Sequence, residues 1–258
     1  MIKARIIFIL FFALLMTSSV AYAMNGRDVF EKIHEVRVKC LDHRTESTMV
    51  LYDRGDGKRA RTITEYGRKE LPEGFKCIVV FNSPSDLKGV GFLLHAHTFA
   101  DRNLWAYFPE YKRIRRIPTS SQDDSFFGSD FSYDDFSGPP DLNDYSFKIL
   151  REEIIDGKSC YVIEVTPEKP RKYTKYIAWV AKNIWVMTKI EYYQEKDLYR
   201  SGSFKDIRMI NGIPTPFECE MENLKTRHRT VVTIQNIIYG TNYPNELFTQ
   251  RSLERGAK

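Results

Sequence analysis

The sequence has no glycine-rich loop leading into a helix to cradle a phosphate, and no G-x-S-x-G elbow to expose a nucleophile. Closely spaced cysteines of a zinc or redox motif are also missing. Four cysteines in 258 residues are too few for a small disulfide scaffold, and 14 glycines with 11 prolines exclude collagen-like and low-complexity classes. Charge of either sign is nearly balanced. The 39 Lys and Arg against 34 Asp and Glu leave +5, which falls to +3 once Lys3 and Arg5, in the leader read below, are set aside. That excess is too weak to point to nucleic acid. Beyond residue 23 no apolar run is long enough to cross a bilayer. What is abundant is apolar and aromatic side chain, 42% and 14% of residues, enough for a sizeable core.

Residues 1–23 read as a secretory signal peptide: basic Lys3 and Arg5, an apolar run from Ile6 to Met16, then Ala21-Tyr22-Ala23 as an A-x-A cleavage site. Eleven apolar residues at about 1.5 Å each cover roughly half of a hydrocarbon core of about 30 Å, too little for an anchor. No cysteine lies near the cut to carry a lipoprotein's lipid. The expected product is a soluble chain of residues 24–258 outside the cytoplasm. There Cys40, Cys77, Cys160 and Cys219 are either paired, in one of three ways, or buried as small hydrophobes.

Asn25 is a candidate N-cap with Asp28 three residues on, and Val29, Ile33 and Val36 recur at helical spacing. From about Thr45 the pattern changes to short runs rich in Val, Ile, Thr, Tyr and Phe, separated by the hairpin dipeptides Asp56-Gly57, Asp156-Gly157 and Asn211-Gly212. Thirteen strands are expected, over residues 46–53, 59–67, 75–82, 90–98, 102–108, 112–117, 145–155, 159–166, 174–181, 184–194, 200–210, 216–224 and 228–239. So long a meander must curl into a barrel or half-barrel. No linker marks a second domain. Segments 90–94 and 104–108 are apolar at successive positions, so both of their faces are expected to meet something other than water.

The stretch from Pro118 to Asp144 is rich in Ser, Asp, Gly and Pro yet carries Phe126, Phe127, Phe131, Tyr133 and Phe136. Two readings stand: a flap that tucks rings into or over a cavity, or a loop pinned to the core by them. Asp123, Asp124, Asp130, Asp134 and Asp135 read as a solvated run, off the spacing of a calcium loop. His95 and His97 project from one strand face, but with no third ligand they read as ordinary strand residues. Lys112, Arg113, Arg115 and Arg116 form the densest basic run. They read either as a docking surface for lipid phosphates or an acidic partner, or as a strand edge kept soluble by charge or paired with the aspartates that follow.

Three blocks carry a resemblance. They are Phe81-Asn-Ser-Pro-Ser-Asp-Leu-Lys-Gly-Val-Gly-Phe-Leu93, Leu104-Trp-Ala-Tyr-Phe-Pro-Glu-Tyr-Lys-Arg-Ile-Arg-Arg-Ile117 and Ser125-Phe-Phe-Gly-Ser-Asp-Phe-Ser-Tyr-Asp-Asp-Phe136. In order and spacing this region resembles the bacterial outer membrane lipoprotein-sorting protein family, whose fold is similar to the carriers LolA and LolB. The resemblance implies a mainly β (α+β) fold, a curled antiparallel half-open β-barrel with helices closing a hydrophobic cavity. It further implies a non-catalytic periplasmic carrier without cofactor or metal, moving lipid or an acylated protein towards the outer membrane. An inner-membrane transporter, an outer-membrane acceptor and transient membrane contact are the partners it suggests. Lipoprotein carriers hold a lid shut with a cavity arginine, to which no residue of this sequence is matched.

Strand parity and the flap nominate Phe92, Leu94, Trp105, Tyr107, Phe126, Phe127 and Phe131 as ligand contacts, with Lys112, Arg113, Arg115 and Arg116 as the docking surface. The competing expectation is an envelope interaction or stress-sensing module that uses the same barrel without a transported ligand.

Overall fold

The computed structural model describes residues 24–55, 57–70, 74–97 and 102–257. The leader and Asp56 of the first turn dipeptide lie outside the described residues. A helix, α1 (Gly26–Lys39), precedes thirteen strands: β1 (His43–Tyr52), β2 (Lys58–Glu70), β3 (Gly74–Ser83), β4 (Gly91–Ala96), β5 (Arg102–Phe108), β6 (Arg113–Ile117), β7 (Tyr145–Ile155), β8 (Lys158–Pro167), β9 (Lys175–Ala181), β10 (Val186–Gln194), β11 (Asp197–Ile210), β12 (Ile213–Asn223) and β13 (His228–Tyr239). A short helix, α2 (Gln250–Glu254), follows. Every strand expected from the sequence is present, its ends moved by a few residues at most.

The strands form one antiparallel sheet in the order β6-β5-β4-β3-β2-β1-β13-β12-β11-β10-β9-β8-β7, not closed into a barrel. Two meanders, β1 to β6 and β7 to β13, are therefore joined side by side through β1 and β13. Tight turns make this possible. Asp156 and Gly157 have φ of 47° and 74°, and Asn211 and Gly212 of 50° and 76°, the left-handed pair that matches the twist of the flanking strands. Thirteen strands at about 4.8 Å spacing would make a flat sheet roughly 60 Å wide. Yet one continuous core contains Phe92 and Leu94 of β4 together with Tyr176, Ala178 and Val180 of β9, so the sheet curls around it. Register shifts between β1 and β13, β2 and β3, and β9 and β10 supply local bends.

Helix α1 lies on the inner face of this curl. Asn25 accepts hydrogen bonds from the N–H groups of Arg27 and Asp28, while Asp28 accepts from the N–H of Asn25 at 2.8 Å, the capping box that the sequence suggests. Val29, Phe30 and Ile33 are buried in the inner core. Phe30 packs on Phe147 of β7 with ring centroids 4.6 Å apart and the ring planes tilted by 37°.

The outer face of β3 to β5 is covered by the C-terminal segment, an element for which the sequence has no periodic signal. Phe248 and Leu253 are buried against Ile78, Val80, Leu93 and Tyr107. His95 Nε2 donates to the Phe248 carbonyl at 2.6 Å, which gives this histidine an anchoring role. Gly91 is required beneath the segment, since a Cβ there would stand 2.6 Å from Leu253 Cδ1. The apolar character of segments 90–94 and 104–108 on both faces follows: α1 and the flap lie inside, the C-terminal segment outside. Replacing Phe248 by Ala should cost about 3–5 kcal/mol in denaturant unfolding. Ile154→Ala, at a side chain 75% exposed, should change stability by less than about 0.5 kcal/mol. Equal effects would mean that the C-terminal segment contributes nothing to the sheet.

Candidate functional site

On the inner face of β1 the buried positions are Thr45, Ser47, Met49 and Leu51, in strict alternation. At one end these side chains are long and fill the core. At the other they are small, and there the interior is not filled. A cavity of about 420 Å³, partly open to solvent, lies between α1 and strands from both meanders. Native interiors rarely leave voids much larger than a water molecule, whereas ligand pockets occupy about 300–1,000 Å³. Ile33 and Val36 of α1, Ile63 of β2, Met221 of β12 and Val232 and Ile234 of β13 make its walls largely apolar. Tyr173, Tyr176 and Tyr192 contribute an aromatic side.

The segment 118–144 crosses above this cavity. It contributes Phe131, Asp134, Asp135, Phe136, Gly138, Pro139 and Pro140 to the lining. Its remaining rings are packed as core: Phe126 is fully buried, with ring centroids 4.1 Å from Phe136, 5.6 Å from Phe92 and 4.9 Å from Phe127. Both readings of this aromatic segment thus apply to different rings. Gly138, at φ +75°, lies flat on Phe75 of β3, where a Cβ would come within 2.1 Å of the ring.

Of the seven residues nominated from sequence, Phe131 lines the cavity. Phe92, Leu94, Phe126 and Phe127 belong to the inner core beside it. Trp105 and Tyr107 are a correction: they pair across the ladder with Leu93 and Gly91 and face outward, towards Phe248 and Leu253. Side chains alternate along a strand, so Phe92 and Leu94 share a face with Leu104 and Ala106 instead. Lys112, Arg113, Arg115 and Arg116 are exposed on and beside the edge strand β6. Pairing puts Arg113 and Arg115 on the inner side and Arg116 on the outer, where it donates to Asn103 Oδ1 at 2.5 Å. The aspartates that follow pair elsewhere.

Those aspartates are not a solvated run, and the cations that hold them lie far from them in sequence. Arg171, before β9, meets Asp123 at 3.3 Å and Asp134 at 3.1 Å, and donates to the Tyr145 hydroxyl at 2.7 Å. Arg102 of β5 meets Asp134 at 3.3 Å, and Arg200 of β11 meets Asp135 at 3.0 Å. His228 Nδ1 and Thr230 Oγ1 of β13 reach Asp130 Oδ2 at 2.6 and 2.7 Å. Arg61 of β2 donates to the Phe127 carbonyl at 2.7 Å. Burial pulls the Arg200 pKa down, but Asp135, Tyr192 and Tyr199 together outweigh it and hold the guanidinium above its ordinary value. Burial raises the Asp123 carboxyl despite Arg171. Removing one partner of such a buried pair costs about 3–5 kcal/mol, so the flap is latched to both meanders. One signal was available: Arg61 has the parity of inward-facing Ile63 on β2.

A second polar group lies in the cavity wall. His43 Nε2 is 3.2 Å from Glu65 Oε1, its Nδ1 donates to the Cys40 carbonyl at 2.7 Å, and Cys77 Sγ donates to Glu65 at 3.4 Å. Burial opposes both charges, but the hydrogen bond and charge of the partner prevail, raising the His43 pKa and lowering that of Glu65. The four cysteines are all free, and Cys40, Cys77 and Cys219 line the cavity. Burial pushes the Cys219 thiol up to about 12. Among the described residues, no group of three His, Cys, Asp or Glu is placed to hold a metal ion. No helix of these residues is long and apolar enough to cross a membrane.

A curled, open antiparallel sheet that encloses an apolar hollow beneath a helix and a flap defines the class: a LolA-like half-barrel. The comparisons agree. A family model with the description "uncharacterized protein" matches residues 74–255, more than half of the chain, and the chain belongs to that family, DUF1329. A DUF1329 family protein from Desulfovibrio piger superposes with a TM-score of 0.81 at 26% identity, covering 88% of this chain and 97% of its own. A Vibrio parahaemolyticus domain named for outer membrane lipoprotein sorting gives 0.80 at 23% identity, over 89% and 98%. A LolA superfamily protein from Nitrosomonas europaea gives 0.70 at 20% identity, over 89% and 100%, a likeness of fold. No curated protein matches the chain.

The His43–Glu65 pair should make stability depend on pH. The raised His43 contributes fully below its ordinary 6.5, and that contribution is lost as pH rises through its folded value. The lowered Glu65 contributes fully above its ordinary 4.5, and its share is lost as pH falls through its folded value. In denaturant unfolding, His43→Gln should therefore show its largest deficit, about 1–3 kcal/mol, between those two values, shrinking at higher pH. A deficit independent of pH would contradict this pairing.

Proposed function

We propose that this chain is a non-catalytic periplasmic carrier which shelters one acyl chain of a lipid or acylated protein in the inner cavity and moves it towards the outer membrane. Residues 24–258 act as one lipid-binding domain, released when residues 1–23 are removed. The observation that carries this reading is the apolar hollow of about 420 Å³ that the chain's own side chains leave unfilled. Each methylene taken from water contributes about 0.8 kcal/mol, so a long acyl chain supplies on the order of 10 kcal/mol before ordering costs are subtracted.

A carrier must also release its load. The flap suits that task because, beside the packing of its rings, it is held to the strands by ion pairs and single hydrogen bonds, interactions that can be exchanged without unfolding the sheet. Phe131 and Phe136 are the flap rings that touch the ligand, while Phe126 and Phe127 of the flap pack on the inner core beside Phe92 and Leu94. Arg61, bonded to the flap backbone from β2, takes the place of the lid-holding arginine of lipoprotein carriers. Lys112, Arg113, Arg115 and Arg116, at about 1 kcal/mol each near an anionic surface, give a brief membrane contact suited to a shuttle. An inner-membrane transporter and an outer-membrane acceptor are the partners this role requires.

Native mass spectrometry of protein purified without detergent tests the reading. Bound lipid is expected in the wild type. Val232→Trp, which fills the cavity from β13, should abolish it and weaken binding of a fluorescent fatty acid at least tenfold with the melting temperature kept. An empty wild-type protein that a protein partner holds tightly would instead favour an envelope interaction module.

A further inference from the structure

Among the described residues, not every charge around the cavity has a partner. Five ionisable acid and base side chains other than tyrosine and cysteine line it: Arg37, His43, Glu65, Asp134 and Asp135. Glu65 is paired with His43. Asp134 is held between Arg102 and Arg171, the latter also meeting Asp123, and Asp135 is held by Arg200. Arg37 differs. Its guanidinium makes no ion pair or hydrogen bond with any described residue, yet it is only partly exposed and lines the cavity beside Val36 and Cys40.

Its charge acts on Cys40 at the end of α1 and on Tyr176 of β9 across the hollow, so it belongs to the interior side of the helix. It also repels Arg102. As a cation in the last turn of α1 it is favourable to the helix, but Lys39 in the same turn already serves that purpose from an exposed position. A planar guanidinium with five donors and no acceptor, at the rim of an apolar hollow, matches an oxyanion.

We propose that the occupant of the cavity is an anionic single-chain amphiphile, its acyl chain in the hollow and its carboxylate or phosphate head group on Arg37. This rests on the acyl-binding reading and adds the chemistry of the head group. The carboxylates in the lining do not oppose it, because each already has its own cation. A neutral head group would offer Arg37 hydrogen-bond acceptors but no counter-charge, and a cationic one would be repelled.

The test is displacement of a fluorescent fatty acid at pH 8 by three ligands of equal chain length: palmitate, monopalmitoylglycerol and palmitoyl lysophosphatidylglycerol. The wild type should bind one or both anionic ligands about tenfold more tightly than the neutral one, and the tighter of the two identifies carboxylate or phosphate. Arg37→Gln should remove that preference while leaving monopalmitoylglycerol unchanged, and Arg37→Lys should restore part of it. Equal affinity for all three ligands, or a preference that survives Arg37→Gln, would overturn the head-group assignment while leaving the cavity reading intact. Failure of all three to bind the folded wild type would overturn both.

Discussion

The order of the strands imposes one constraint from which the rest of the structure follows. Each meander runs outward from the central β1–β13 pair or inward towards it, so β6 and β7 are the two free edges of the sheet. They are also consecutive in sequence. The chain between them, residues 118–144, must pass from one edge to the other, and it does so across the inner face, touching β2, β3, β5, β11 and β13 on the way. A cover over the curl is therefore a consequence of topology. Helix α1 shares that face, and the hollow is the space that the helix, the flap and the small inward residues of β1 leave between them.

A crossing segment could have been packed by apolar contact alone. Here the rings of Phe126 and Phe136 do that in part, while Arg61, Arg102, Arg171, Arg200 and His228 hold the backbone and carboxylates from both meanders. Apolar packing fixes where the rings lie, and directional charge pairs fix which strands the flap spans. The same division appears in the cavity wall, where apolar side chains surround the His43–Glu65 pair. Paired charges leave an apolar surface able to hold hydrocarbon, and Arg37, without a counter-ion among the described residues, gives that surface a direction.

Much of this architecture is visible in the residues themselves. The thirteen runs of β-branched and aromatic side chains, the Asp156-Gly157 and Asn211-Gly212 turns and the Asn25 cap each express a local rule that tertiary packing then obeys. The faces of β4 and β5 are not visible, because Phe248 and Leu253 cover their outer side and remove the alternation that would have separated Trp105 and Tyr107 from Phe92 and Leu94. That covering segment has too few apolar residues to announce itself. The aspartates of the flap resemble a solvated run for a related reason: their partners, Arg102, Arg171 and Arg200, are far away in sequence. Only the inward parity of Arg61 and Arg200 signals that a charge is wanted inside.

A carrier of this kind takes hydrocarbon into the hollow between α1 and the inner faces of β12 and β13. A crystal structure of the protein with a fatty acid brominated near its tail reads this directly from the anomalous signal of bromine. A bromine peak is expected within van der Waals reach of Met221 and Val232, beneath Phe131. Bromine found only on the outer face, or a hollow closed by repacked side chains with no ligand inside, would contradict it.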